Sequence, residues 1–220
     1  MKRKTLILLS LLLAVTILIS LLLYINQNPY AHYSDKMLLR EVSSYDSIQL
    51  LGLSSASATY SVAGVYELSA DIPPLREFLS RPTAVSSMNK HLPALYEEFS
   101  KSSNYRISGF AFPYQRMFEI FCTKTGSSKS STDQLSINGL CVNDIFLQAC
   151  ANANIDSIAE LMEVSSDCPP LFDLLSSPSA LPSIREYVPG LIEKYEAADN
   201  EKTVTALNRL LDIFSLEPTK

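Results

Sequence analysis

Residues 69–100 read SADIPPLREFLSRPTAVSSMNKHLPALYEEFS, and residues 165–196 read SSDCPPLFDLLSSPSALPSIREYVPGLIEKYE. Aligned without a gap, the two stretches share thirteen identities in thirty-two positions, where ordinary residue usage gives roughly two or three by chance. The chain is therefore expected to contain one structural unit written twice. Outward from this core the match continues with small slips of register, as loop insertions between homologous elements produce. Ser61-Val62-Ala63 pairs with Ser157-Ile158-Ala159, Asp46 with Asp144, and Gln115 to Phe121 with Asn208 to Phe214.

The period inside the units is helical. Met88, Leu92, Leu95 and Phe99 fall at i, i+4, i+7 and i+11, and Ile184, Val188, Leu191 and Tyr195 keep the same stripe with different side chains. A second, shorter stripe holds Leu75, Phe78 and Leu79, matched by Leu171, Leu174 and Leu175. Each short stripe is opened by a Pro-Pro pair, and proline suits a first helical turn because its missing N–H has no partner there. Pro82 and Pro178 end that helix, and Ser87 and Ser183 are expected to cap the next. Pro93 and Pro189 lie inside the longer stripe and demand either a bend or a restart. Residues 105–121 have the aromatic and β-branched content of a hairpin. Their counterpart spaces Val204, Leu207, Leu210 or Leu211, and Phe214 at a 3.6 period, so helix is expected in both.

The expected architecture is all-α: two tandem homologous helical units of about 85 residues behind one N-terminal transmembrane helix. Its parts are a membrane anchor at 1–25, a juxtamembrane stretch at 26–33, unit 1 at 34–121, a linker at 122–134, unit 2 at 135–214 and a tail at 215–220. Thr123 to Gln134, rich in Ser, Thr and Lys, marks the boundary because it offers almost nothing to bury.

Lys2, Arg3 and Lys4 precede twenty-one residues, Thr5 to Ile25, that carry no charge. At 1.5 Å per residue that run crosses a hydrocarbon core. Its length, with Pro29 badly placed for cleavage after Ala31, favours an uncleaved anchor over a leader. The basic flank puts the N-terminus in the cytoplasm and the repeats outside, in the periplasm or at the cell surface.

Without the three N-terminal charges, fifteen basic and twenty-three acidic side chains remain. A nucleic-acid partner is excluded on this reading, because phosphate binding needs a basic face. The acidity is uneven: residues 34–121 hold eight basic and nine acidic side chains, residues 132–214 four and thirteen. Cys122, Cys141, Cys150 and Cys168 show no C-x-x-C spacing, which argues against a zinc ribbon or a thioredoxin-like pair. An oxidising compartment would permit disulfides, for instance from Cys122 to unit 2, whereas Cys168 in place of Ile72 reads as a buried thiol. If Cys141 and Cys150 share one helix, they face opposite sides of it.

Ser87-x-x-Lys90, Ser102-x-Asn104 and Lys124-Thr125-Gly126 are similar to the three short signatures of penicillin-binding proteins and β-lactamases, in the same order. They are packed within forty residues, far too close for that catalytic domain, and Lys90 stands opposite Glu186. Gly126 to Ser130 echoes a phosphate loop without its second glycine. His91 stands opposite Tyr187, with no nucleophile and orienting carboxylate indicated. Asp71 with Asp167 suits a helix start, and Glu97 with Glu193 a solvent face. No catalytic, cofactor or metal site is assigned. The sequence is read as a membrane-anchored, extracytoplasmic, non-enzymatic helical-repeat protein that binds or scaffolds envelope or secreted proteins. Residues 5–25 engage the membrane, and a homo-oligomer is compatible with this reading. Seven tyrosines between Tyr33 and Tyr114, against Tyr187 and Tyr195 in unit 2, point to unit 1 as the contact face. The alternatives are a serine acyltransferase or hydrolase using Ser87 and Lys90, and a secreted effector with a cleaved leader.

Overall fold

The computed structural model describes residues 12–17, 20, 29–53, 60–104, 108–122 and 130–216, and all regular structure among them is helical. Residues 1–34 and 35–220 are separate compact units. In the first, residues 12–17 are helical and Tyr33 meets Tyr30 edge-on with ring centroids 5.5 Å apart. Most of the span expected over residues 5–25 lies outside the described residues. Among those described, no helix is long and apolar enough to cross a membrane.

The second unit runs through α1 (Asp35–Val42), α2 (Gln49–Leu53), α3 (Val62–Leu68), α4 (Pro73–Leu79), α5 (Ala84–Ser100) and α6 (Ala111–Cys122). It continues through α7 (Ser131–Leu140), α8 (Asp144–Ala151), α9 (Ile158–Ser165), α10 (Pro169–Leu175), α11 (Ala180–Ala197) and α12 (Glu201–Ile213). Short 3₁₀ turns at Asp46–Ile48 and Ser69–Asp71 lead into α2 and α4. The helix starts follow local chemistry. Ser61 accepts a bond from the Gly64 N–H at 3.0 Å. Ser157 accepts from the Glu160 N–H at 3.3 Å while Glu160 Oε2 accepts from the Ser157 N–H at 3.2 Å, a reciprocal cap. The Pro-Pro pairs occupy the first turns of α4 and α10.

α1 packs on α4 and α5, and α7 on α10 and α11; α2 packs on α6, and α8 on α12; α5 packs on α6, and α11 on α12. Between the two sets, α3 meets α9 and α10, and α4 meets α9. The expected stripes are core: Met88, Leu92, Leu95 and Phe99 are buried, and Leu75, Phe78, Leu79, Leu171, Leu174 and Leu175 are sealed from solvent. In α11 the stripe turns slightly, so Ile192 is buried and Leu191 only half-buried. Gly139 lets α7 lie close to α10, since a Cβ there would stand 3.1 Å from the ring of Pro170.

Several expectations change. Ser87 and Ser183 are not caps: α5 and α11 begin three residues earlier, with Thr83 and Ser179 at the N-cap, and the serine hydroxyls turn to a neighbouring helix instead. α5 and α11 run unbroken through Pro93 and Pro189. Residues 111–122 are helix, as the period of their counterpart led one to expect. Cys122 closes α6, and α7 opens at Ser131, inside the stretch read as linker; residues 123–129 lie outside the described residues. Cys141 follows α7 while Cys150 is in α8, so the two do not share a helix.

Candidate functional site

Two carboxylates organise the polar interior. Asp35, the first residue of α1, accepts bonds from Arg81 Nη1 at 2.8 Å, Thr83 Oγ1 at 2.8 Å and Ser87 Oγ at 2.5 Å. Asp133, in the first turn of α7, accepts from Ser177 at 3.2 Å, from Ser183 at 2.9 Å and from Ser179. Ser177, Ser179 and Ser183 lie 96 positions after Arg81, Thr83 and Ser87. Asp133 is 2% exposed, and hydroxyl donors take the place of the lost water. Burial pushes the Asp35 carboxyl up, but the bonds from Ser87, Arg81 and Thr83 together hold it below the usual carboxylate range.

This geometry works against the Ser87 and Lys90 chemistry. Ser87 donates to a carboxylate already engaged by a guanidinium, so Asp35 is a poor base, and the hydroxyl is not aimed at Lys90 or His91. Burial, with Lys90 and Lys36 nearby, lowers the His91 pKa. Lys124, Thr125 and Gly126 lie outside the described residues, as does most of the phosphate-loop echo. Asp71, Asp167, Glu97 and Glu193 are exposed, and Glu97 pairs with Lys101 one turn on.

A second cluster sits on α6. Glu119 Oε2 accepts from Tyr60 at 2.8 Å and from Arg116 at 2.9 Å, and Oε1 accepts from Gln115 at 3.0 Å. The Arg116 guanidinium lies 5.0 Å from the Tyr60 ring and 4.8 Å from that of Phe112. The tyrosines of the first half are therefore largely spent on internal contacts. Tyr114 is sealed in the core and donates to the Leu39 carbonyl, and Tyr66 lies under Arg76. Of those described, Tyr96 is 40% exposed, Tyr33, Tyr45, Tyr60 and Tyr66 are half-buried and Tyr114 is buried.

All four cysteines are free thiols, and Cys141, Cys150 and Cys168 are buried. Burial pushes Cys122 and Cys150 up to about 12, well away from the thiolate that would react or bind metal. No cluster of three metal-ligating side chains occurs among the described residues.

What the surface offers is the corner between α7 and α8. Leu135 is 71% exposed, Val142 74% and Ile145 47%. Of these, Ile145 also lines a groove of about 560 Å³, together with Asp144, Gln148, Ala149, Asn152, Asn154 and Lys202. Lys202 Nζ stands 3.8 Å from Asp144. Ala153, between the two asparagines, holds a left-handed φ of 53°. Sequence reading missed this corner because apolar residues in a helical segment read as core. The one available signal is that Val142 and Ile145, at the spacing of Asp46 and Asp144, stand opposite Ser44 and Ser47. Compared with family models, curated proteins and solved structures, the chain matches none.

Proposed function

We propose that α1–α6 and α7–α12 are two copies of one helical unit, carried behind a membrane anchor at residues 5–25, and that the chain works outside the cytoplasm by binding a protein partner rather than by catalysis. The duplicated sequence, the helix pairings that repeat from one set to the other, and the matching Asp35 and Asp133 hubs support the two-copy reading. Polar residues shared by both copies hold helices together, which leaves no duplicated site for chemistry.

The observation that carries the binding reading is the exposed Val142 and Ile145. At the same spacing the first copy bears Ser44 and Ser47, so these two positions are polar in one copy and apolar in the other, while Met37 and Leu50 expose apolar surface in the first copy as well. Exposed aliphatic side chains around a groove mark contact surfaces. The contact face is thus assigned to the second copy, whose acidity suits a partner with a basic rim.

The test is a photo-cross-linker at Ile145 in the full chain in its native membrane, with Asn208, exposed on α12, as control site. A discrete adduct from Ile145 and none from Asn208 is expected. Equal adducts from both sites, or none, would contradict the assignment. A membrane-impermeant thiol reagent on Asn208→Cys, applied to intact and to permeabilised cells, tests the topology separately. Labelling only after permeabilisation would place the helices inside.

A further inference from the structure

We infer that the turn at residues 29–34 is an aromatic anchor seated in the headgroup layer of the bilayer, with Tyr30 and Tyr33 at the boundary between lipid acyl chains and water. The inference rests on the membrane-anchor reading above and extends the membrane contact beyond residue 25.

Charge sets the limits. From Thr5 to Ser34 the chain has no Asp, Glu, Lys or Arg, and Asp35 is the first such residue after Lys4. About twenty residues suffice to cross the hydrocarbon core, and Thr5 to Ile25 supply them. The nine that follow, NQNPYAHYS, stay free of Asp, Glu, Lys and Arg without being apolar: they hold three carboxamides, a histidine and two tyrosines. Amphipathic rings and neutral polar groups suit the headgroup layer, roughly 5–7 Å deep on each side of the core. The boundary between the two compact units falls at the same place, between Ser34 and Asp35. The turn therefore belongs with the apolar segment and not with the helices that start at α1.

Local structure keeps the rings at one level. The Tyr33 N–H donates to the Tyr30 carbonyl at 3.0 Å, so the chain turns where an extended one would advance about 10 Å over three residues. The Tyr30 and Tyr33 rings meet edge-on with centroids 5.5 Å apart, and the His32 ring packs on Tyr33 at 4.9 Å. Each ring offers an apolar body to acyl chains and a polar atom to water. Both tyrosines are half-buried and His32 is exposed. In the same compact unit Leu12, Leu13 and Ile17 are 66%, 63% and 60% exposed, and Thr16 donates its hydroxyl to the Leu13 carbonyl at 2.8 Å. A helix that turns large aliphatic side chains outward and ties its hydroxyl to its own backbone is suited to lipid, and the aromatic turn follows it in sequence.

The chain has no tryptophan, so Tyr30→Trp and Tyr33→Trp each give the full chain a single fluorophore of related chemistry. Each variant is reconstituted in phosphatidylcholine vesicles, with Asn208→Trp, exposed on α12, as reference. Depth is read from quenching by lipids brominated near the head of the acyl chain, by lipids brominated near its end, and by aqueous iodide. Both tyrosine variants are expected to be quenched several-fold more by the shallow label than by the deep one, to equal extents, and to resist iodide. Asn208→Trp should answer to iodide alone. Iodide quenching of either tyrosine variant to the extent of Asn208→Trp overturns the inference. So does stronger quenching by the deep label, which would put the rings in the hydrocarbon core. Protection from iodide without quenching by either lipid overturns it too, since the cover would then be protein. Failure of the membrane-anchor reading looks different: the wild-type chain would not float with the vesicles, and the inference would fall with it.

Discussion

Ser87 of α5 donates its hydroxyl to Oδ2 of Asp35 on α1 across 2.5 Å, joining helices 52 residues apart in sequence. Ser183 does the same for Asp133 at 2.9 Å. The difference between the two hubs is the third donor, a guanidinium at Arg81 and a hydroxyl at Ser177.

Burial decides which hub matters more for stability. Asp133→Ala strips three hydroxyls of their acceptor in a nearly sealed site, and a loss of about 3 kcal/mol is expected. Asp35→Ala acts at an ion pair whose side chains keep 18% and 20% of their exposure, and it is expected to cost less, about 1 kcal/mol. Urea titrations of both variants check the order, and a larger loss from Asp35→Ala would contradict it.

The Asp35 hub also gives a pH dependence. Asp35 binds its proton less tightly in the folded chain than at its ordinary value of 3.8, so its contribution is complete above that value and is lost as pH falls through and below it. Ser87→Ala removes one of the bonds that hold the carboxyl down. The stability gap between wild type and Ser87→Ala is therefore expected to be widest near neutral pH and to shrink below about pH 4. A gap that widens on acidification would contradict the assignment.

Three helices of the second half, α8, α11 and α12, end on non-glycine residues in the left-handed region: Ala153 at φ 53°, Asp199 at 55° and Ser215 at 49°. Each end is closed by a six-to-one bond, as from Asn154 N–H to the Ala149 carbonyl at 3.1 Å. An alanine Cβ in that conformation costs about 1 kcal/mol. Ala153→Gly is expected to raise stability by about 0.5 kcal/mol, the relief being partly offset by unfolded-chain entropy. A lower melting temperature would contradict this account of the turn.

The thiols are expected to be inert in the folded chain. With Cys122 and Cys150 pushed up to about 12, the thiolate fraction near pH 8 is about one in ten thousand. Reaction with a maleimide-type probe should follow global unfolding, accelerating with urea as the fold is lost. Rapid labelling of Cys150 in native protein would contradict its placement.

The packed helices were readable because burial leaves a period. Leu75, Phe78 and Leu79 sit at helical spacing beside a Pro-Pro start, and their partners are local. Asp133 was not readable. It lies in a run of Ser, Thr and Lys that resembles linker, and its donors are 44 to 50 residues away. A polar hub imposes no period, and the register slip of two residues hid its equivalence to Asp35. Tyr114 misled in the opposite direction. Its side chain type suggests surface contact, yet its hydroxyl is satisfied inside by the Leu39 carbonyl. Val142 and Ile145 carry no sequence mark of exposure, which is decided by where α7 turns into α8.

Binding through the α7–α8 corner is tested most directly by sedimentation of the full chain, gently extracted from its native membrane, as wild type and as Val142→Asp/Ile145→Asp. Val142 is 74% and Ile145 47% exposed, so the double variant should stay close to the wild-type melting temperature while the chain moves from a larger complex to its own size. An unchanged complex with an unchanged melting temperature would contradict the assignment of this corner as the contact face.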